Sequence, residues 1–276
     1  MATLQMNFLS MKLGMQTNVT VFLPSFSPSE ELAEKTSAQV YPKDKKFPVL
    51  WLLPDETGDD SQWLRESAIT RIAQKYGFAV VMPCPFEKLY SEEDPGQKFT
   101  SYIIEELWYV CTGMFPISKR FDENFIAGAG LGAYGALKCA LTCPVQYKAV
   151  IMLGGAYEKD IKGGYFEALK KQMAKTGLIP PLGLDDAPAD DAELTVKAKA
   201  ITDRLAVTKA PSLPDVWITY AKGSPLAEYA KKAAENLKKD HFWITEEAPA
   251  EGPDDWDFRD AAMKKAAEWM FGKEAK

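Results

Sequence analysis

Histidine is almost absent from this sequence of 276 residues, which contains a single one, His241. Because histidine is the usual general base and the commonest metal ligand, its scarcity restricts the acid–base and metal chemistry open to the chain. The four cysteines, Cys84, Cys111, Cys139 and Cys143, form no Cys-x-x-Cys pair. This pattern predicts reduced thiols in a cytoplasmic protein, with no metal site.

Two further absences exclude classes of partner. No run of about 18 apolar residues occurs, so no membrane-spanning segment is expected, and the N-terminus lacks the basic and apolar blocks of a signal peptide. Basic residues number 33 against 39 acidic ones, which gives a net charge of −6. Because an acidic protein offers no extended positive face to phosphates, we expect no nucleic-acid partner. We expect no cofactor either.

Apolar segments that alternate with segments of helical spacing are the main pattern that is present. Two alternating N-terminal segments predict a β-hairpin, and short apolar runs followed by helical spacing recur along the chain. Because strands that alternate with helices form crossover units, this pattern predicts an α/β fold with a mostly parallel sheet. The pattern weakens over residues 157–213, where we expect a helical cap with a flexible acidic loop at 185–193. We therefore predict one domain, residues 1–276, with an insertion at about 157–213.

Three local predictions concern elements near the ends of strands. Residues 60–77 have helical spacing and predict one helix that ends at Gly77. Residues 241–247 predict the last strand, with His241 at its edge. Asp257 is predicted to lie at the start of the terminal helix, where its carboxylate would interact with exposed N–H groups.

The segment Asn124–Leu137, NFIAGAGLGAYGAL, predicts a strand, a sharp glycine-rich turn and a helix. One interpretation is a dinucleotide-binding loop, because Gly128, Gly130 and Ala133 satisfy G-x-G-x-x-[GA]. However, the next strand ends in two glycines and lacks the acidic residue expected about 20 residues beyond the loop. The other interpretation is a nucleophile elbow, G-x-S-x-G, in which Gly130 stands where the serine should be.

Several further motifs accompany this turn in a fixed order. They are "PVLWLL" leading into "GDDSQWLR", then "YGFAVVMP", "MFPIS" and, near the C-terminus, "DWDF". Together they resemble the esterase family of the α/β-hydrolase superfamily, the group of tributyrin esterases, esterase D and S-formylglutathione hydrolases, over nearly the full length. The resemblance implies an α/β-hydrolase fold: an eight-stranded, mostly parallel sheet with helices on both faces. In active relatives it implies a serine, an aspartate and a histidine that hydrolyse carboxylic esters through an acyl-enzyme.

The sequence departs from the family pattern at every element of the implied active site. The family's serine falls on Gly130, its histidine on Asp254 and its triad acid on Ser224, while the His-Gly-Gly of the oxyanion loop is replaced by Pro54–Glu56. Gly130 carries no oxygen, and an exposed carboxylate with a pKa near ~4 is a poor base at neutral pH. We therefore predict that no catalytic set is intact.

The predicted pocket gathers acidic residues. Asp55 and Glu56 follow one strand, and Asp254 and Asp255 lie in another loop that the resemblance places at the same edge of the sheet. Converging carboxylates can bind a divalent cation or a cationic ligand, or form an acid/base pair, although solvated loop acids are the simpler interpretation. The backbone N–H of Leu131 is the oxyanion-hole donor that we expect to remain.

These observations predict a catalytically inactive esterase homologue, a pseudoenzyme, that acts by binding a small molecule in the former active-site pocket or by assembly, for example as a homo-oligomer. A weak or rewired carboxylic-ester hydrolase that uses the pocket carboxylates is the alternative, and dinucleotide binding at Gly128–Ala133 is a second one. His241 lies too early in the chain to supply the missing base, and Cys84 has no histidine partner for nucleophilic chemistry.

Overall fold

An eight-stranded sheet runs through the centre of the computed structural model, which describes residues 2–25, 36–40, 43–84, 90, 98–157, 160, 164–177, 194–206 and 213–272. Its strands are β1 (Ala2–Ser10), β2 (Met15–Leu23), β3 (Val49–Leu53), β4 (Ala79–Pro83), β5 (Asn124–Ala129), β6 (Ala149–Leu153), β7 (Asp215–Thr219) and β8 (Ile244–Glu246). Their spatial order is β1-β2-β4-β3-β5-β6-β7-β8. The β1–β2 hairpin is antiparallel and β3 to β8 are parallel, which confirms the predicted sheet.

Helices cover both faces of this sheet. In the described part of the chain they are α1 (Ser37–Val40), α2 (Gln62–Glu66), α3 (Ile69–Tyr76), α4 (Phe99–Ser101), α5 (Trp108–Met114), α6 (Leu131–Thr142), α7 (Phe166–Lys175), α8 (Leu194–Ala206), α9 (Ala227–Lys239) and α10 (Trp256–Phe271). A π-helical segment, Tyr102–Leu107, joins α4 to α5, and a 3-10 turn, Phe121–Glu123, precedes β5. None of these helices is both long and apolar enough to cross a membrane.

The central strands are apolar on both faces because helices cover both faces. In β3, Val49, Trp51 and Leu53 pack in the core layer that contains α6 and α9. Leu50 and Leu52 point the other way and pack in the layer that contains α3 and α10. Alternate residues of β3 therefore face opposite layers, although the whole strand is apolar. Packing on both faces makes β3 a rigid support for the loop that follows it.

The helix predicted over residues 60–77 is in fact two helices, α2 and α3, because Ser67 interrupts it. Ser67 is extended, with φ −123° and ψ 169°. Its hydroxyl donates to the carbonyl oxygen of Trp63 at 2.5 Å and accepts from the backbone N–H of Ile69 at 3.2 Å. Short hydroxyl side chains compete with the helical backbone in this way.

The last strand is also shorter than predicted, since β8 covers Ile244–Glu246 and not residues 241–247. His241 lies in an exposed turn that follows α9, with φ at 65°, and its N–H donates to the carbonyl oxygen of Lys238 at 3.1 Å. The prediction that His241 is a strand-edge residue was therefore wrong. Periodicity did not reveal that the chain must turn back after α9 before it re-enters the sheet.

Helices α7 and α8 lie within the insertion predicted at about 157–213, and α8 packs against α6. The acidic loop predicted at residues 185–193 lies outside the described residues. The start of α8 is tied to the rest of the fold through Thr195, whose hydroxyl contacts the hydroxyl of Tyr157. Tyr157 in turn donates to Asp240 Oδ2 at 2.6 Å, just beyond α9.

The glycines of the turn between β5 and α6 are required by close backbone approach. A Cβ at position 132 would overlap the carbonyl oxygen of Pro54 in the loop after β3, and a Cβ at position 128 would overlap the backbone of Gly132. Strand, helix and neighbouring loop therefore meet without room for a methyl group. This contact fixes the β3 loop beside the N-terminus of α6.

We predict that Gly132→Ala destabilises the protein by at least about 2 kcal/mol, because the methyl group would overlap backbone atoms that no side-chain rotation can move. Gly113→Ala is the matched control, since a Cβ at this helical position meets no atom within 4 Å. It should be neutral or stabilise by up to about 1 kcal/mol. Urea unfolding of both variants measures the difference. Equal effects would contradict the close approach described here.

Candidate functional site

The turn at Gly130 has the backbone geometry of a nucleophile elbow. Gly130 has φ 53° and ψ −119°, a combination that residues with a side chain adopt only under strain. Its N–H donates to the carbonyl oxygen of Leu153 at 3.0 Å, which fastens the turn to the end of β6. The strained corner that would present a nucleophile is therefore present, and the residue at its apex has no side chain.

The carboxylate of Glu56 occupies the space above this apex. A Cβ at Gly130 would lie 2.6 Å from Glu56 Oε2, and the same oxygen accepts the backbone N–H of Leu131 at 3.3 Å. The predicted donor, the Leu131 N–H, is present at this corner, and Glu56 accepts its hydrogen bond. The N-terminus of α6, where negative charge is electrostatically favoured, is therefore occupied by the side chain of Glu56.

Glu56 is a largely buried acid with few compensating contacts. Burial, followed by the nearby charge of Asp55, raises the pKa of Glu56 to about 7. Hydrogen bonds from its own N–H and that of Leu131, with the charge of Arg259, oppose this shift but do not cancel it. Glu56 therefore changes its protonation state near neutral pH.

The two other pocket acids are joined through a basic residue that the sequence analysis missed. Arg259 Nη1 donates to Asp55 Oδ2 at 2.6 Å, and Arg259 Nε donates to Asp254 Oδ1 at 3.0 Å. The arginine side chain is 10% exposed, and those of Asp55 and Asp254 are 8% and 22% exposed. This buried cluster connects the β3 loop to the start of α10. The two loops therefore converge as predicted, and the cation between their acids is Arg259.

Aromatic rings support the guanidinium. Arg259 stacks over the ring of Trp256 at 4.7 Å, and Trp256 meets Trp63 edge to face at 5.1 Å. The indole N–H of Trp63 donates to the carbonyl oxygen of Leu53 at 2.9 Å, at the end of β3. These contacts hold the planar guanidinium in one orientation and so limit how the acids can move.

The cluster gives its two acids different titration behaviour. Burial opposes ionisation of Asp55, but the charge of Arg259 and hydrogen bonds from Gln62, Arg259 and Thr57 hold the pKa of Asp55 below its ordinary value. For Asp254, burial outweighs the attraction to Arg259 and raises the pKa. Asp55 is thus the fixed anion of the cluster, and Asp254 is the weaker partner.

Asp255 does not pair with Arg259, although its charge contributes to the raised pKa of Asp254. Its Oδ1 accepts the N–H of Phe258 at 2.9 Å, which makes Asp255 the N-cap of α10. Asp257 lies in the first turn of α10, which confirms the prediction that it lies at the start of the terminal helix. The hydrogen bond that caps the helix comes from Asp255, which has the extended backbone that a capping residue needs.

A small cleft of about 60 Å³ opens beside Gly130. Six of the residues that line it carry polar side chains: Glu56, Gln172, Tyr220, Ser224, Asp254 and Arg259. The three positions that the resemblance assigned to the triad, Gly130, Ser224 and Asp254, therefore lie around one cavity. In the described part of the chain, its lining includes neither His241 nor Cys84.

The geometry disfavours a dinucleotide at Gly128–Ala133. A pyrophosphate at the N-terminus of α6 would meet the carboxylate of Glu56, which already accepts the Leu131 N–H. The described residues also offer no metal site, because no three or more His, Cys, Asp or Glu side chains among them are arranged to hold a metal ion.

Solved structures with the same fold cover almost the whole chain. An S-formylglutathione hydrolase from Staphylococcus aureus is 25% identical with a TM-score of 0.71, and a fluorophosphonate-binding serine hydrolase from the same organism is 26% identical with a TM-score of 0.72. Each alignment covers 98% of both chains. Their fold, and that of the present chain, is the α/β-hydrolase fold.

Sequence comparison gives the family. The model of the family described as "Putative esterase" matches residues 29–262, and the chain belongs to that family. An acetyl esterase from Caldicellulosiruptor saccharolyticus is 24% identical over 279 residues, which covers 98% of each chain. The homologues are therefore carboxylic-ester hydrolases.

We predict that Arg259→Met costs about 3–5 kcal/mol of unfolding free energy, because it leaves two acids buried without a counter-charge. Arg120→Met is the matched control. Arg120 meets Asp122 at 2.6 Å, the distance that separates Arg259 from Asp55, but its side chain is 69% exposed. Loss of this exposed pair should cost about 1 kcal/mol or less. Urea unfolding of the two variants tests the contrast, and similar costs would show that the Arg259 cluster is solvated.

We predict that Glu56→Gln stabilises the protein increasingly as the pH rises. The pKa of Glu56 is about 7 in the folded protein against an ordinary value of 4.5, so the native protein loses stability as the pH rises between these values. Glutamine does not ionise and avoids this loss, which amounts to at most about 3 kcal/mol at pH 8. Unfolding at pH 5 should show little difference between the two proteins. Glu251→Gln, at an 82% exposed side chain, is the control, and a pH-independent effect of Glu56→Gln would contradict the prediction.

Proposed function

We propose that this protein is a non-catalytic member of the esterase family that binds a small polar ligand in the cleft beside Gly130. The observation that carries the proposal is the position of Glu56, whose carboxylate lies where the side chain of a nucleophile would project and accepts the adjacent N–H of Leu131. A substrate carbonyl would find neither an attacking oxygen nor a vacant donor at this corner.

Each requirement of serine-hydrolase chemistry is unmet at the corresponding position. The nucleophile position is Gly130, and the base position is Asp254, which is paired with Arg259 at 3.0 Å. The oxyanion formed in acyl transfer needs N–H donors in a site free of opposing charge. Here a carboxylate lies beside the Leu131 N–H, so the developing negative charge would be repelled. Loss of the triad alone lowers rates by orders of magnitude.

One observation favours a second candidate, a weak or rewired ester hydrolase. The pKa of Glu56 is raised by burial to about 7, which is the range in which a carboxylate acts as a general base at neutral pH. Glu56 lines the cleft, so it could activate a water molecule for direct attack on an ester. This candidate differs from the first because its activity depends on Glu56.

We predict that the purified protein does not turn over p-nitrophenyl acetate or butyrate and is not labelled by a fluorophosphonate probe. The physical reason is the absence of an activated oxygen nucleophile at Gly130. The similar Staphylococcus aureus protein, which is named for fluorophosphonate binding, is the positive control.

The Glu56→Gln variant separates the outcomes of this assay. Turnover in the wild type that disappears in Glu56→Gln would establish the second candidate and overturn the first. Labelling of a serine by the probe would overturn both, because it would reveal a nucleophile away from the elbow.

A further inference from the structure

Negative charge exceeds positive charge around the cleft. Glu56 and Asp254 line it, and Asp55 lies directly behind, so three carboxylates share the single guanidinium of Arg259. Arg259 already donates to Asp55 and Asp254, whereas Glu56 accepts only backbone N–H groups in the described structure. Three acidic side chains and one basic side chain therefore lie at this site.

Two further groups beside these acids lack hydrogen-bond partners. Gln172 lines the cleft, and its Oε1 is buried and has no donor within the described residues. The hydroxyl of the fully buried Tyr165 likewise has none among the described residues. Burial, followed by the charges of Glu56, Asp254 and Asp55, raises the pKa of Tyr165. Buried polar groups without partners are rare in folded proteins, so each calls for a missing partner.

We propose that the cleft binds the protonated amino group of a small primary amine, whose N–H donors reach Glu56, Asp254 and Gln172. This inference rests on the proposed binding function and names its ligand class. An ammonium group offers three donors and a positive charge, and it matches a site in which the unsatisfied atoms are acceptors. An anion would be repelled by the carboxylates. The described residues contain no metal-binding group of three acids, histidines or cysteines, which favours an ammonium ion over a metal ion.

The size of the cleft limits the ligand. A cavity of about 60 Å³ holds a few water-sized groups, which corresponds to the ammonium head and a short carbon chain. Leu226, Ala227 and Ala230 supply apolar wall for the carbon atoms. A quaternary ammonium ion has the same charge but no N–H donors and a bulkier head, so it should not fit.

Protons compete with the amine at this site. The charged and titratable groups around Glu56 are Asp55, Asp254, Arg259, Tyr90 and Tyr165. Protonation of Glu56 removes one negative charge and replaces an acceptor by a donor. Affinity for an ammonium ion should therefore rise as the pH increases through neutrality.

Titration of the ¹⁵N-labelled protein with ethylammonium chloride tests the proposal, at constant ionic strength and at pH 8 and 5.5. We expect saturable shifts of the Leu131 and Gly130 amide signals, with a millimolar dissociation constant, the range open to a ligand of so few atoms. Affinity should fall about tenfold at pH 5.5, because Glu56 is then protonated. Tetramethylammonium chloride at the same concentrations should leave these signals unmoved.

Variants assign the effect to named groups. Glu56→Gln should lose at least tenfold in affinity at pH 8 and lose the pH dependence. Asp254→Asn should bind several-fold more weakly, because it removes the second carboxyl group that lines the cleft. Asp257→Asn is the control, because Asp257 is exposed and does not line the cleft. Its affinity should equal that of the wild type.

The outcomes separate this proposal from the broader one. Absence of saturable shifts at pH 8, or equal shifts with tetramethylammonium, overturns the amine site and leaves the non-catalytic proposal standing. Ester turnover that depends on Glu56 overturns the non-catalytic proposal, while the amide shifts still decide whether an amine binds. Equal affinity in wild type, Glu56→Gln and Asp254→Asn overturns the assignment to this cleft.

Discussion

The contact between the Glu56 carboxylate and the N-terminus of α6 is the interaction on which the character of this site depends. The corner after β5 has the strained backbone that ester hydrolases use, and its glycine apex leaves a space that Glu56 Oε2 fills. In an active enzyme, charge appears at such a corner only during the reaction, and the N–H groups are held ready for it. Here the carboxyl group of Glu56 lies in that position. The same feature that stabilises a transient oxyanion elsewhere thus stabilises a resident side chain.

The arrangement of Arg259 explains why Glu56 can occupy this position. Consecutive residues of the β3 loop point to different partners: Asp55 turns towards Arg259 at 2.6 Å, and Glu56 turns towards Gly130 and Leu131. The guanidinium neutralises Asp55 and holds Asp254, which leaves the charge of Glu56 without a cationic partner of its own. A raised pKa follows directly from burial beside another carboxylate. The site is therefore acidic and sensitive to protons near neutrality.

Much of this could be predicted from the sequence, and the failures have identifiable causes. The parallel sheet, the glycine turn and the convergence of Asp55, Glu56 and Asp254 follow from periodicity, motif spacing and family resemblance. Arg259 was missed because a lone arginine in a helix with many charged residues usually lies in solvent, and its burial depends on a tertiary contact with the β3 loop. Asp255 was misplaced because capping depends on the backbone at one residue, which sequence spacing leaves uncertain by one or two positions. Gln172 lies in the insertion, where the pattern is weakest, so nothing in the sequence placed it in the cleft.

The measurement that tests this description most directly is a ¹³C NMR titration of the Glu56 side-chain carboxyl group, followed together with the amide shift of Leu131. A carboxylate buried above Gly130 should titrate with a pKa of about 7, and the Leu131 N–H should shift with the same midpoint, because the two groups share a hydrogen bond. A Glu56 midpoint near its ordinary value of 4.5, with a Leu131 amide that does not respond, would contradict it. That result would place Glu56 in solvent and leave the corner above Gly130 open.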